Sequence, residues 1–416
     1  MQMNSGSVQL KVEQLNVMKV GRFRKQALGL ALTSCMAASA GFVSTGAAAA
    51  SIAGTDVSIG GFIKADAMWS DFSDGDRAAA TVGDDLIVPS VIPVGAGGND
   101  ANQFDTHVKH SRFNIKTITN TDAGKVKGFF EMDFNGGADE RLTNQASNGL
   151  RHAFLAWDYS DKGNLLVGQT WSTFFNVGAL PEAVDFVGPT SGTVFVRQSQ
   201  LRWTKKLSSG SFMLAAENPS TSLNDGGAGL SNNQYDNNTI PDVVLRYNGK
   251  AGGLSYTAAM IARQIAYRDG GNDETNNGVG FSLSGKWAFK NGDDLKFMVN
   301  HGVLGRYVAL NAFRDGVIEA DGSIATVDVT GGFIAYKHKW SRKLRSTISY
   351  ATTSVDNATT SVGDLTETVS NASINLLYSP TKKLTFGGEY IVADRETEAG
   401  VDGDLTRVQL MAKWAF

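Results

Sequence analysis

Basic residues recur in this chain beside apolar ones. Lys64 stands between Ile63 and Ala65, Arg202 between Leu201 and Trp203, and Arg246 between Leu245 and Tyr247. Arg112 precedes Phe113, Lys286 precedes Trp287, Arg345 follows Leu344, and Arg263 follows Met260 by three residues. In a segment with a period of two, each of these cations lies on one face and the apolar residues on the other. If the apolar face meets lipid, the cations must face water, because Arg or Lys at the bilayer midplane costs about 2–4 kcal/mol. Rows of cations along a water path can attract and guide anions. The competing reading is that they pair with Asp66, Glu131, Asp133 and Glu389 and merely hold water.

Other chemistries find little support. There is no G-x-S-x-G elbow for a hydrolase nucleophile. The five histidines, at 107, 110, 152, 301 and 338, form no metal-spaced cluster; His107 and His110 lie beside a loop and read as rim residues. The run Asp71-Phe-Ser-Asp-Gly-Asp76 hints at calcium but lacks the spacing and distal Glu of an EF-hand loop. An enzyme, a metal and a cofactor are therefore not expected. The net charge of -3 argues against nucleic acid as a partner.

Strands are the elements that would position these cations. The last ten residues alternate strictly: Val408, Leu410, Ala412, Trp414 and Phe416 against Arg407, Gln409, Met411, Lys413 and Ala415. A final strand ending on an apolar-face aromatic resembles the signal that outer-membrane barrels present to their assembly machinery. Period-two reading gives sixteen strands, near 57–70, 106–119, 124–135, 149–160, 163–173, 193–205, 210–218, 240–249, 252–267, 277–289, 293–304, 326–340, 342–354, 368–379, 381–394 and 405–416. Connectors alternate between long (71–105, 136–148, 174–192, 219–239, 268–276, 305–325, 355–367, 395–404) and short, such as Asp161-Lys162 and Asn291-Gly292. Short turns on one side and long loops on the other is the arrangement of a membrane barrel. Trp157, Trp203, Trp287, Trp340 and Trp414 cluster at strand ends, as an aromatic girdle requires.

The start of the chain agrees. Lys19, Arg22, Arg24 and Lys25 precede a small apolar run, and Ala47 to Ala50 offer a cleavage site, so residues 1–50 read as a signal peptide and 51–416 as the barrel. Cleavage after Ala40 is the second choice. The single cysteine, Cys35, lies inside this segment, which leaves the mature chain without thiol chemistry. Mean hydropathy is only -0.15, as expected when lipid-facing residues alternate with wet ones. The fold class is therefore all-β: a transmembrane antiparallel barrel of sixteen strands in the outer membrane of a Gram-negative bacterium, bounded by lipid and lipopolysaccharide.

One connector is unusual. Residues 174–192 are too apolar for an exposed loop, and Leu180, Val184, Phe186 and Val187 need a dry surface. Folded into the barrel, the loop would narrow the pore and bring Leu180, Pro181, Glu182 and Asp185 opposite the wall cations. An interface loop in an oligomer is the alternative.

Three segments carry a family resemblance: Gly168-Gln-Thr-Trp-Ser-Thr-Phe-Phe175, Leu180-Pro-Glu-Ala-Val-Asp-Phe-Val-Gly-Pro189 and Phe195-Val-Arg-Gln-Ser-Gln-Leu-Arg-Trp203, joined by Gly61-Phe-Ile-Lys-Ala-Asp66. Together they resemble the DcaP-type outer-membrane porins. The resemblance implies a sixteen-stranded homotrimeric porin for small anions, especially dicarboxylates, with Arg112, Arg151, Arg197, Arg202 and Arg246 as anion contacts and Glu182 and Asp185 on the constriction loop. Parity places Arg151 and Arg197 on the outward face, so they serve only above the membrane belt or beside a bulge. Some relatives carry a helical N-terminal extension that helps them oligomerise; here about six residues separate Ala50 from Val57, which leaves the barrel walls to hold a trimer together.

Overall fold

The computed structural model describes residues 49–75, 82–95, 97–98, 100–136, 146–224, 234–269, 271–357 and 365–416. The basic segment, Cys35 and the apolar run of the expected signal peptide lie outside the described residues, as does Asp76.

Sixteen antiparallel strands form the wall. They are β1 (Thr55–Phe72), β2 in two pieces (Ala101–His107 and Arg112–Thr121), β3 (Gly124–Asp133), β4 (Gly149–Asp158), β5 (Gly163–Trp171), β6 (Arg197–Lys206), β7 (Gly210–Glu217) and β8 (Asp242–Ala251). The rest are β9 (Leu254–Asp269), β10 (Asn272–Ala288), β11 (Asp294–Gly302), β12 (Val329–Lys339), β13 (Leu344–Val355), β14 (Thr366–Tyr378), β15 (Leu384–Thr397) and β16 (Asp402–Ala415). Each pairs with the next, and β16 closes onto β1 with Lys413 opposite Lys64 and Leu405 opposite Phe72. Closure leaves no open edge, which is what lets a sheet cross lipid with its backbone groups satisfied. Among the described residues no helix is long and apolar enough to cross a membrane.

Alternation decides which side each residue sees. On β1, Ile59, Ile63 and Trp69 are exposed on the outer surface while Lys64, Asp66 and Ser70 are buried. On β10, Phe281, Leu283 and Trp287 face out against Ser282 and Ser284. At the short-turn rim, aromatic groups touch one another: Trp203 Nε1 donates to Tyr159 Oη at 2.7 Å, and the Trp414 and Phe416 rings lie 5.6 Å apart.

Two departures from the alternation reading are instructive. The connector expected at 268–276 is instead a tight hairpin, with Asp269 paired to Asn272 and the strands continuing to Arg268 and Asp273. Its outer residues are polar on both faces and exposed, so no apolar alternation marked them as strand. The second departure is β2, which breaks at 108–111 between its two pieces.

Three connectors pack against the inward face of the wall. The segment 82–95 buries Leu86, Ile87, Val88 and Ile92; 172–196 buries Phe174, Phe175, Val184 and Val187; and 303–328 buries Leu304, Tyr307, Val308 and Phe313. Much of this apolar surface joins one cluster with Ile261, Met298 and Val369 of the strands. The fit is close where 172–196 meets β12: a Cβ added to Gly192 would lie 1.9 Å from the carbonyl oxygen of Gly332.

Candidate functional site: the charged lumen

The segment 172–196 is tied to strands far from its own ends. Arg246 Nη1 donates to the carbonyls of Thr173 (3.2 Å) and Phe175 (2.7 Å). Lys296 Nζ reaches the Leu180 carbonyl at 2.6 Å, next to Pro181. Arg345 grips the Glu182 carboxylate with both Nε (2.6 Å) and Nη2. Glu389 of β15 accepts from the amides of Val184 (2.8 Å) and Asp185 (2.7 Å), and Lys64 Nζ donates to the Val184 carbonyl at 2.8 Å. Asn371, Thr353 and Asn300 hold Gly188, Ser191 and Gly192. Backbone groups that a dry loop cannot give to water thus find inward side chains of β1, β8, β11, β13, β14 and β15.

The two loop acids differ. Burial raises the pKa of Glu182, but the hydrogen bond and charge of Arg345 outweigh it and hold the carboxyl below its usual range. Asp185 faces backbone rather than an arginine: its oxygens accept from the amides of Ile87 (3.1 Å), Val187 and Gly188 (both 2.9 Å). Its charge fixes the loop's own turn and the segment 82–95.

A second group gathers around Phe186 and Trp171. Arg151 Nε donates to Glu131 at 2.9 Å and Nη1 to Asp133 at 2.5 Å, while Arg112 lies 3.9 Å from Glu131. Arg112 and Arg151 stand over the Phe186 ring at 5.5 and 5.3 Å, and Arg151 and Arg197 over Trp171 at 5.8 and 4.7 Å. Such stacking satisfies a guanidinium face without consuming its edge donors. Arg112 and Arg151 contact the two carboxylates, and Arg197 Nη1 has no hydrogen-bond partner among the described residues. Arg197, Asp133 and Phe186 line a cavity of about 540 Å³.

Simple parity fails for Arg151 because β4 carries a bulge. Glu131 pairs with His152 and Met132 with Leu150, so Arg151 is the extra residue and turns inward. Arg197 opens β6 at its junction with the segment 172–196, half-buried and against Trp171. Arg202 faces inward, as the burial pattern of β6 shows.

The remaining cations are spread around the wall. Lys64 bonds Asp66 at 2.7 Å. Lys286 lies near the mouth, 40 % exposed and 3.4 Å from Asp294. Arg263 is wholly buried and bonds Asp315 at 2.6 and 3.0 Å, so it holds the segment 303–328 rather than facing open water. Sequence reading passed over that segment, including Arg306 and Tyr307; the apolar run Val303-Leu304-Gly-Arg-Tyr-Val-Ala-Leu310 was its signal. Tyr307 Oη donates to Asp242 at 2.7 Å and accepts from Gln198 at 2.8 Å. His110, expected at the rim, is 1 % exposed and packs its ring tilted against Phe186, with centroids 4.6 Å apart.

Comparison with known proteins fits this architecture. The family model described as DcaP outer membrane protein matches residues 12–416. The chain is similar to the outer membrane channel DcaP of Acinetobacter baumannii, at 24 % identity over 88 % of this chain and 99 % of that one, with a TM-score of 0.70. It shares the fold of OmpT, an outer membrane protein of Vibrio cholerae (11 % identity, 89 % and 100 % covered, TM-score 0.55), and of Salmonella typhi OmpF (14 %, 86 % and 98 %, 0.54). No curated protein matches the chain. The chain belongs to the DcaP outer membrane protein family and is a β-barrel of the Gram-negative outer membrane.

Proposed function

We propose that this barrel is a porin for passive diffusion of small hydrophilic anions of the dicarboxylate class. The carrying observation is the group of Arg112, Arg151 and Arg197 with, among the described residues, Glu131 and Asp133 as the carboxylates in contact, beside a cavity that Arg197 lines. A surplus of guanidinium charge in a low-dielectric wall concentrates anions, and the paired edge donors of an arginine suit a carboxylate. Lys64, Arg202, Arg246, Arg263, Lys286 and Arg345 add basic character around the wall. The loop 174–192, with Leu180, Pro181, Glu182 and Asp185, narrows the path beside them. Pore-lining charges at a constriction set selectivity. The barrel works in lipid and lipopolysaccharide as a homotrimer, and Phe416 presents its last strand to the assembly machinery. Residues 1–50 direct export and are removed. The strand Ala49–Ile52 pairs with Thr55–Ser58, a hairpin that this cleavage trims by two residues and that the second choice, after Ala40, would keep whole.

Liposome swelling tests the substrate class. Dicarboxylates enter faster than neutral solutes of equal size, and equal or slower entry contradicts the proposal. The packing of three connectors into the lumen favours a second reading, a structural or adhesive barrel with little transport. That reading predicts no swelling with any solute.

A further inference from the structure

The break in β2 brings two imidazoles to a carboxylate of β1. Asp66, His107 and His110 each offer a ligand atom, and these atoms lie within 4.8 Å of one another. His110 Nδ1 is 3.4 Å from Asp66 Oδ2, and the two histidine rings meet edge-on at 4.5 Å. Donors around a tetrahedral zinc are about 3.3 Å apart, from bonds of about 2.0–2.1 Å. The Asp66–His110 pair therefore already has that spacing, and His107 must move closer to complete the set.

Two further observations point to a ligand. Asp66 Oδ2 and His107 Nδ1 are buried, and neither has a hydrogen-bond partner among the described residues. Buried polar atoms left unmatched are uncommon enough to need a reason. The donors are also held from behind, as metal ligands are. Gln409 donates to Asp66 Oδ1 at 2.9 Å, and His107 Nε2 is 3.2 Å from the Asp85 carbonyl, which leaves its Nδ1 to coordinate.

A cation already occupies part of this place. Lys64 Nζ lies 2.7 Å from Asp66 Oδ1 and 3.4 Å from His110 Nδ1. We infer that Asp66, His107 and His110 form a site for a borderline divalent cation such as Zn²⁺, which competes with the Lys64 ammonium. Two imidazoles and one carboxylate suit zinc rather than calcium or magnesium, which take oxygen ligands. Displaced from Asp66, Lys64 would also leave the Val184 carbonyl, so occupancy is coupled to the segment 172–196.

The test is calorimetric titration of Zn²⁺ into the full folded protein in detergent, without a polyhistidine tag. One saturable site per chain is expected. His107→Ala and His110→Ala each weaken it by at least about tenfold, while Lys64→Met tightens it. Absence of saturable binding, or binding unchanged in both histidine variants, overturns the inference. Co²⁺ absorption of the unmodified protein gives a readout independent of variant folding. Ligand-field bands distinct from those of aqueous Co²⁺ are expected, and a spectrum identical to aqueous Co²⁺ overturns the site.

Discussion

Arg263→Met lowers the stability of the folded barrel by about 3–5 kcal/mol, the cost of breaking a buried ion pair by removing one partner. The side chains of Arg263, Asp242 and Asp315 are all fully shielded from solvent. Besides Asp315 and Asp242, the guanidinium serves the carbonyls of Val303 (3.2 Å) and Ser220 (2.8 Å). Methionine fills the space but supplies no donor, so two carboxylates and two carbonyls lose a partner. The segment 303–328 then keeps its apolar contacts, its backbone bonds to neighbouring segments, and the side-chain bonds that Tyr307 and Arg306 make to Asp242 and Gln198. Denaturant unfolding in detergent, followed by the mobility shift of the heated barrel, measures the loss. Arg345→Met costs much less, because Glu182 is 36 % exposed and can turn to water.

The same pair sets an acid dependence. Burial pushes the Asp315 carboxyl up, and the charge and hydrogen bonds of Arg263 outweigh it, holding the carboxyl below its usual range. A depressed carboxyl contributes stability that is complete above its unfolded value, about 3.9, and is lost as pH falls through the lower folded value. In Arg263→Met the amides of Ser222 and Arg306 still donate to Asp315, but the guanidinium that offset burial is gone, so the carboxyl is held down less and the variant loses less stability in acid than the native chain.

Deleting 177–188 raises single-channel conductance several-fold and weakens discrimination between anions and cations. That stretch accepts from Lys296 at Leu180, Arg345 at Glu182, Lys64 at Val184 and Asn371 at Gly188. Without it those donors turn to water in a wider lumen. Charges across such a lumen are screened over about 8 Å at physiological ionic strength, so their hold on a passing ion falls. Planar-bilayer recordings of the deletion beside the full chain measure both effects; unchanged conductance would mean that the segment does not limit the path.

The wall was legible because lipid and water impose opposite demands on adjacent residues. Every expected strand is present, and the closing register sets Lys413 against Lys64. Legibility stopped where that contrast stopped. The hairpin at Asp269–Asn272 stands in polar surroundings on both faces and left no period to read. Arg151 was misplaced by parity because one extra residue in β4 flips the face without a trace in composition. The dry character of 174–192 was visible in its apolar residues, but the partners of Asp185 were not, since backbone amides carry no sequence signal. The Asp66–His107–His110 group was hidden for a different reason. Asp66 is far in sequence from the two histidines, and they meet only through the pairing of β1 with β2.

The sign of the reversal potential across a planar bilayer under a KCl gradient tests the central claim most directly. A basic lumen predicts a potential on the chloride side of zero from single open channels of the full-length protein. A potential on the potassium side, or correctly folded protein that gives no conductance steps, would contradict it.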